Sequence, residues 1–434
     1  MLPGSDRGVL SEVSHLPPEL QAQLRQMDVV LRRQWRLGQN IVLCWAPDPR
    51  GLLTIVVPHY FLGNFTVGSG DAATTQENEA FIRTVIGGSH LKTHPEIFAI
   101  AKRLGVSTSF IKLDRALGDD PAVLAAADAV IARYGIGYTE QRAVLLFDIA
   151  EFSLYTPFEQ ASQLNSLSYS MNSAFNKLQR EGVDVNFART TTGDGYYVWN
   201  RDVGPYPDLD LLSFLFIVLM DNAIARREAS GNTVPMIRSA YHVGSHYELF
   251  QAEGVNPTLF SYVVGDVTIK LARMLDKARA GQVLLGEFAA ELPERRGHFD
   301  ANDFMRAAWE ELTSLSNLQV AGQELRDIQF RDASCGTDNP AALRIVDKHG
   351  LEQRALNLHC DVTLGDERFE LGTPLATMTL LVDELQREPG LRQAMRDDIE
   401  LLRQQLLQCR TTLAELSHTA ELSAAGERQQ RPAD

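Results

Sequence analysis

The spacing of apolar residues changes twice between residues 145 and 200, and that change limits the folds open to the chain. "LLFDIAEFS" (145–153) begins as a buried strand ending at Asp148. Leu164, Leu167, Met171 and Phe175 then recur at helical spacing, which predicts an amphipathic helix over 157–181. "VDVNFARTTTGDGYYVWN" (183–200) follows as two strands with a turn at "TGDG". A second apolar helix (208–228), a strand (234–244), a helix (265–279) and the strand "GQVLLG" extend the alternation into one α/β domain. The longest apolar run, "LLSFLFIVLM" (211–220), is half of the roughly 20 residues that a bilayer span needs. It is expected as a buried helix, and no membrane span is expected.

The flanks read differently. "PPELQAQLRQMDVVLRRQWRL" (17–37) is helical, "NIVLCWA" and "LLTIVVP" are strands joined by "PDPRG", and helices are expected at 76–86, 94–104 and 121–134, with the strand "STSFIKL" between the last two. "GSGD" (68–71) lacks the strand and lysine of a phosphate loop and reads as an ordinary loop. "YGIGYTEQR" (134–142) reads as a linker, so residues 1–138 form an N-terminal α/β region with a sensory or scaffolding role, and 139–375 a second domain. In 376–422, Met395, Ile399, Leu402, Leu406, Cys409, Leu413 and Leu416 make an a/d seam. That tail supports two readings, a coiled coil with a partner helix or a helix packed on its own domain. Residues 423–434 are expected to be disordered.

A net charge of −15 argues against a chain that grips nucleic acid through its overall field. Four scattered cysteines with no CxxC pair suggest neither a zinc site nor a disulfide framework. With no signal pattern at the N-terminus, a cytoplasmic location is the simplest expectation.

Asp148 and Asp194 carry the chemistry. An unpaired carboxylate at the end of a buried strand is costly and must neutralise or find a cation. Read singly, Asp148 caps a turn and Asp194 is an ordinary Asp-Gly of a hairpin. In a β-α-β-β arrangement, however, the first strand's end and the hairpin turn lie side by side. Two convergent carboxylates suit Mg²⁺ or Mn²⁺, and two such ions can serve an in-line displacement at phosphorus.

Five segments, "LLFDIAEFS", "TTTGDGYYVW", "RSAYHVG" (238–244), "VVGDVTIKLARM" (263–274) and "ARAGQVLLG" (278–286), resemble in order and spacing those of a class III nucleotidyl cyclase catalytic domain. "LRIVDKHGLEQRALNLHCD" (343–361) is similar to that family's closing hairpin, so the resemblance spans roughly 140–370. It implies a ferredoxin-like βαββαβ sheet covered by helices, and a homodimer with composite active sites. By the same resemblance, Asp148, Asp194 and the Ile149 carbonyl hold two Mg²⁺ or Mn²⁺ ions per site. Arg273, given across the interface, stabilises charge on the triphosphate. The implied reaction converts a nucleoside triphosphate, ATP as the first expectation, to a 3′,5′-cyclic nucleotide and pyrophosphate.

Some positions depart from the family pattern. Its ribose-orienting asparagine, four residues before the arginine, is Ile269. The two base-selecting positions are Thr190 and Tyr262, which match neither purine rule. A bulky Tyr262 also leaves room for a pyrimidine cyclase of the antiphage type. Glu151 stands where the family commonly has glycine, next to Phe152, which is expected beside the nucleotide. Lys348 or His349 is expected near the outer phosphates. His242 is expected to be a satisfied structural histidine and Lys270 a solvated one. Tyr196 and Tyr197 should pack on opposite faces of their strand. Loss of the asparagine also supports a second function class, a cyclase-like nucleotide-binding or dimerisation module without turnover.

Overall fold

The computed structural model describes residues 16–68, 70–183, 185–253, 258–291, 298–315, 317–331, 341–346 and 350–373. Lys348, His349 and the tail readings for 376–434 fall outside them.

The first part is a three-stranded antiparallel sheet. β1 (Asn40–Asp48) pairs with β2 (Gly51–Pro58), which pairs with β3 (Ser109–Lys112). One face packs on α1 (Pro18–Trp35) and α5 (Pro121–Ala132), around Leu24, Leu31, Trp45 and Tyr134. The other carries α2 (Phe61–Val67), α3 (Ala72–Ile86) and α4 (His94–Leu104), around Leu43, Ile55, Ile86 and Ile97. Asp71, the last residue of "GSGD", caps α3 by accepting from the Ala73 and Thr74 amides at 2.8 and 3.1 Å.

A second sheet follows, with α6 (Pro157–Arg180) after β4 (Ile136–Ile149), then the hairpin β5 (Phe187–Thr191) and β6 (Gly195–Asn200). α7 (Pro205–Glu228) leads to β7 (Ile237–Glu253) and its hairpin partner β8 (Thr258–Val264), and α8 (Asp266–Lys277) leads to β9 (Val283–Gly286). The strand order β7-β4-β6-β5 is the antiparallel arrangement of a ferredoxin-like βαββαβ unit. β9 adds to it in parallel beside β7, and the hairpin β14 (Ala341–Val346) and β15 (Glu352–Leu358) completes that edge. This is the class III cyclase-like mixed α/β fold that the five segments imply.

The two faces of this sheet bury different sets. Leu145, Phe147 and Tyr241 face α6 and α7, and Val144, Leu146 and Ala240 face α8 through Val267, Leu271 and Met274. A strand buried on both sides reads as a continuous apolar run, which is why 143–147 shows no alternation. Tyr196 packs into the first set and Tyr197 into the second, as expected. "LLSFLFIVLM" lies within α7 and is buried along its whole length.

Three expectations are corrected. Residues 136–142 of the supposed linker are the first half of β4, paired with β7 from Ile136↔Leu249 onward. Gly137, inside that stretch, stands in the ladder opposite Glu248. Second, β10 (Ala289–Glu291), β11 (His298–Asp300) and α9 (Ala301–Ser314) lead to a separate four-stranded sheet. Its order is β12 (Gln319–Val320), β13 (Gln323–Phe330), β16 (Cys360–Leu364), β17 (Glu367–Leu371). Ile328, Val362 and Leu364 join the α7 side of the core, extending it beyond the βαββαβ unit. Third, the segment 343–361 does not end as one hairpin, because Cys360 and Asp361 already belong to this added sheet.

Asp208, in the first turn of α7, accepts from the Ala143 amide at 2.7 Å. Burial pushes its carboxyl up to about 7, against the opposing pull of that amide and of Arg142. The native chain therefore keeps a proton on Asp208 that the unfolded chain loses above about pH 4, so this group's contribution to stability falls as pH rises from about 4 to about 7. Asp208→Asn keeps the acceptor and removes the titration. Unfolding by urea between pH 4.5 and 6.5 is expected to show stability rising with pH more steeply in the variant, by one proton or about 1.4 kcal/mol per pH unit. Equal slopes would mean that Asp208 is already ionised in the folded chain.

Candidate functional site

β4 delivers Asp148 to the edge of the core. Its neighbours across the ladder are Gly195 of β6 and Arg238 of β7. The approach of β6 is close, since a Cβ on Gly195 would lie 1.9 Å from the Phe147 carbonyl oxygen, so the residue after Asp194 must be glycine. The hairpin turn is set by Gly193 at φ 105° and by the Gly193 amide donating to Thr191 Oγ1 at 3.0 Å. The Ile149 amide donates to the Asp194 carbonyl at 3.0 Å, which fixes the turn against the end of β4. Two carboxylates 46 positions apart in sequence thus come together.

Asp148 is held on its other side by Arg238, whose Nε donates to Asp148 Oδ2 at 2.6 Å while Nη1 donates to the Ala278 carbonyl at 3.0 Å. Burial raises the Asp148 carboxyl above its usual range. Arg238 works against that shift, and the hydrogen-bonded Asp194 carboxylate adds to it. A like-charged carboxylate pair at a partly desolvated strand end is a place where a cation is favourable. The sequence reading expected metal there; Arg238 is a cation that it missed. The residue sat in a quoted segment, but its role needed the β4–β7 pairing, which joins positions 90 apart.

The residues present suit hard divalent cations. Two aspartates and the Ile149 carbonyl are oxygen donors, and Mg²⁺ completes its shell with water and substrate oxygens rather than an all-protein cage. Among the described residues no group of three or more His, Cys, Asp or Glu side chains could hold a metal.

The connection after β4 explains Glu151. Its backbone is left-handed, at φ 58° and ψ 25°, a conformation that glycine adopts freely. Its side chain is exposed. Phe152 starts a 3₁₀ turn and packs partly buried against the α7 side of the core. Thr156 and Glu159 then form a capping box that starts α6.

The other sequence-predicted residues form a second group. Thr190 lies on β5 opposite Tyr197, and Tyr262 on β8 opposite Leu249; β5 and β8 are in contact, so the two half-buried side chains belong to neighbouring strands. Ile269 and Arg273 sit one turn apart on α8. Ile269 is 50% exposed, although apolar, and Arg273 is half-buried. Gly265, at φ 153°, lets the helix start against the His246 backbone. Lys270 pairs with Asp266 at 2.7 Å, so it is less solvated than expected.

His242 is buried as expected but not satisfied. Neither ring nitrogen has a hydrogen-bond partner among the described residues, and burial, aided by Lys270, lowers it to about 4. His246 is likewise lowered to about 4, by burial and by Arg142, whose Nη1 donates to His246 Nε2 at 3.2 Å.

No protein-family model matches the chain, and no curated protein matches it. Solved structures do. One is the catalytic core of a rhodopsin-guanylyl cyclase with converted specificity in complex with ATPalphaS, at 14% identity, covering 51% of this chain and 97% of that one with a TM-score of 0.31. A second is the guanylate cyclase domain of RhGC from Catenaria anguillulae in complex with GTP, at 13%, 52%, 98% and 0.31 for the same measures. A third is the adenylyl cyclase CyaB from P. aeruginosa, at 14%, 55%, 99% and 0.33. These values leave the site to be judged on its own residues. On its own strand order, β14-β15-β9-β7-β4-β6-β5, the chain carries the ferredoxin-like sheet of a class III cyclase-like fold.

Proposed function

We propose that this chain is a metal-dependent nucleotidyl cyclase, working as a homodimer on a nucleoside triphosphate. The observation that carries the reading is the convergence of Asp148 and Asp194 at the joined ends of β4 and the β5–β6 hairpin, where the Ile149 amide donates to the Asp194 carbonyl. The ribose 3′-oxygen attacks the α-phosphorus, the bond to the β-phosphate oxygen breaks, pyrophosphate leaves, and the hydroxyl proton passes to solvent. Mg²⁺ or Mn²⁺, when bound, would supply positive charge at the reacting phosphates, and Asp148, Asp194 and the Ile149 carbonyl would hold it. Arg273 of a second copy adds charge on the triphosphate, and no covalent enzyme intermediate is needed, so positioning and electrostatics carry the rate.

Thr190 and Tyr262 read the base in this scheme, with ATP as the first candidate. The hydroxyl pair also fits a pyrimidine edge. The test is incubation of the pure protein with each of the four triphosphates and Mn²⁺, with products read by mass. A single cyclic product names the base, and no product from any of them ends the proposal. Two features favour a nucleotide-binding module without turnover as the second reading. They are the Arg238 ion pair on Asp148 and the apolar Ile269 at the ribose-orienting position. Nucleotide binding without product would select it.

Ile269 gives a direct measurement. Its exposure means that Ile269→Asn disturbs no packing, and stability should stay within about 0.5 kcal/mol. An amide able to hydrogen-bond the ribose is expected to raise turnover about tenfold, the equivalent of about 1.4 kcal/mol in the barrier. A rate within twofold of the parent would show that the ribose is oriented by another group.

A further inference from the structure

The outward side of α6 and the turn before it expose unusual apolar surface. Leu154, Phe158 and Tyr169 are 77%, 76% and 71% exposed, the highest values of any large apolar side chain among the described residues. Single exposed apolar residues are ordinary on a folded surface, but neighbouring ones on one face mark a contact. At 3.6 residues per turn, the eleven steps from Phe158 to Tyr169 return to within about 20° around the helix axis. Ala161, Ser162 and Asn165 lie between them on the same side, while Leu167, Met171 and Ala174 on the other side belong to the core.

That outward side also lacks charge. From Phe158 to Asn176 the one charged residue is Glu159. Its carboxylate is engaged by the Thr156 amide and by Asn232 Nδ2, at 2.9 Å each. Arg189 approaches only the far end, where its Nη1 donates to Asn172 Oδ1 at 3.3 Å. A helix face meant for water alone is normally charged, whereas contact surfaces are depleted in charge and enriched in aromatic rings. In a chain of net charge −15 two copies repel, and a face without charge is where they approach at least cost. The spacing adds a symmetry. Phe158, Ser162, Asn165 and Tyr169 follow at intervals of four, three and four, which read the same in both directions. Two antiparallel copies of α6, related by a two-fold axis midway between Ser162 and Asn165, therefore set Phe158 opposite Tyr169 of the second copy at both ends. Ser162 then lies opposite Asn165 near the axis, as an isologous contact requires.

We propose that the outward face of α6 is a self-association surface, which pairs two copies of this chain through antiparallel α6 helices about a two-fold axis. It is separate from the interface that a composite site uses. α8, which carries Arg273, packs on the opposite face of the sheet from α6, so one copy can use both surfaces. A single helix pair buries less than the roughly 1,200 Å² of a standard interface, so the association is of the weak class, with a Kd of about 10–100 μM.

The test is sedimentation velocity of the full chain over a concentration series from about 5 to about 200 μM, which brackets that Kd. Phe158→Glu changes an exposed side chain in the first turn of α6, where a carboxylate is favourable, so the fold is retained. It places a charge against Tyr169 of the second copy and should weaken the association at least about tenfold. Adding Tyr169→Lys sets an ammonium opposite that carboxylate on both sides of the axis, and the association should return to within about threefold of the parent. Phe158→Glu combined with Tyr169→Glu should stay dissociated. Two outcomes each overturn the proposal: Phe158→Glu has the parent's mass at every concentration, or the variant with the added lysine associates no better than the one with the added glutamate. The mass changes by a factor of two whether or not the α8 side also pairs, and no nucleotide is present. A failed cyclase assay therefore leaves this result standing, and the reverse.

Discussion

Asp194→Ala is expected to lower cyclic nucleotide formation by about 10³-fold or more while leaving the fold intact. The side chain lies in a hairpin turn, and its backbone carbonyl, which the substitution keeps, is what accepts from Ile149. Loss of the carboxylate removes half of the side-chain donor set for the cation and also a charge that raises the Asp148 carboxyl. Thermal unfolding measured beside the assay separates the two effects. An activity within tenfold of the parent would remove Asp194 from the chemistry and leave the convergence of the two aspartates as a folding feature.

The second large effect concerns assembly. If the aspartates of one copy work with Arg273 of the other, Asp148→Ala and Arg273→Ala proteins should each be nearly inactive alone and regain activity when mixed under subunit exchange. Random pairing gives half heterodimers, each with one complete site and one doubly damaged site, so recovery should approach about a quarter of the parent activity. No recovery, with heterodimers demonstrated by mass, would place both groups in the same copy's site. Recovery without heterodimers would point to contamination.

Much of the site was legible because local signals were strong. The change from strand to helix period after Asp148 and the Asp-Gly turn at 194 fixed where the carboxylates would lie. The family resemblance supplied the reason to read them together. What escaped depends on pairing between distant segments. Arg238 becomes the partner of Asp148 only once β7 lies beside β4, and no local pattern states that. Gly135 and Gly137 carry the same letters as a linker, and the pairing of Gly137 with Glu248 decides otherwise. The four-stranded sheet escaped for a similar reason: β12 has two residues and β13 meets its partner β16 thirty positions later, so its pattern is short and its closure non-local. Glu151 was recognised as a departure from glycine, but its left-handed backbone is a property of the turn and not of the residue.

The pairing of β4 with β7 has a consequence for how the molecule can fluctuate. Ile136 of β4 pairs with Leu249 of β7 at one end of this ladder, and Asp148 with Arg238 at the other. Residues 143–147 between them are buried, and core strands of this kind open only with the whole fold. Between Thr139 and Arg142 the pairing slips, the one irregularity in this ladder. An extra residue on β4 there increases the local twist and bends the strand while the pairing resumes on either side, so β4 changes direction between its first half and the half that ends at Asp148.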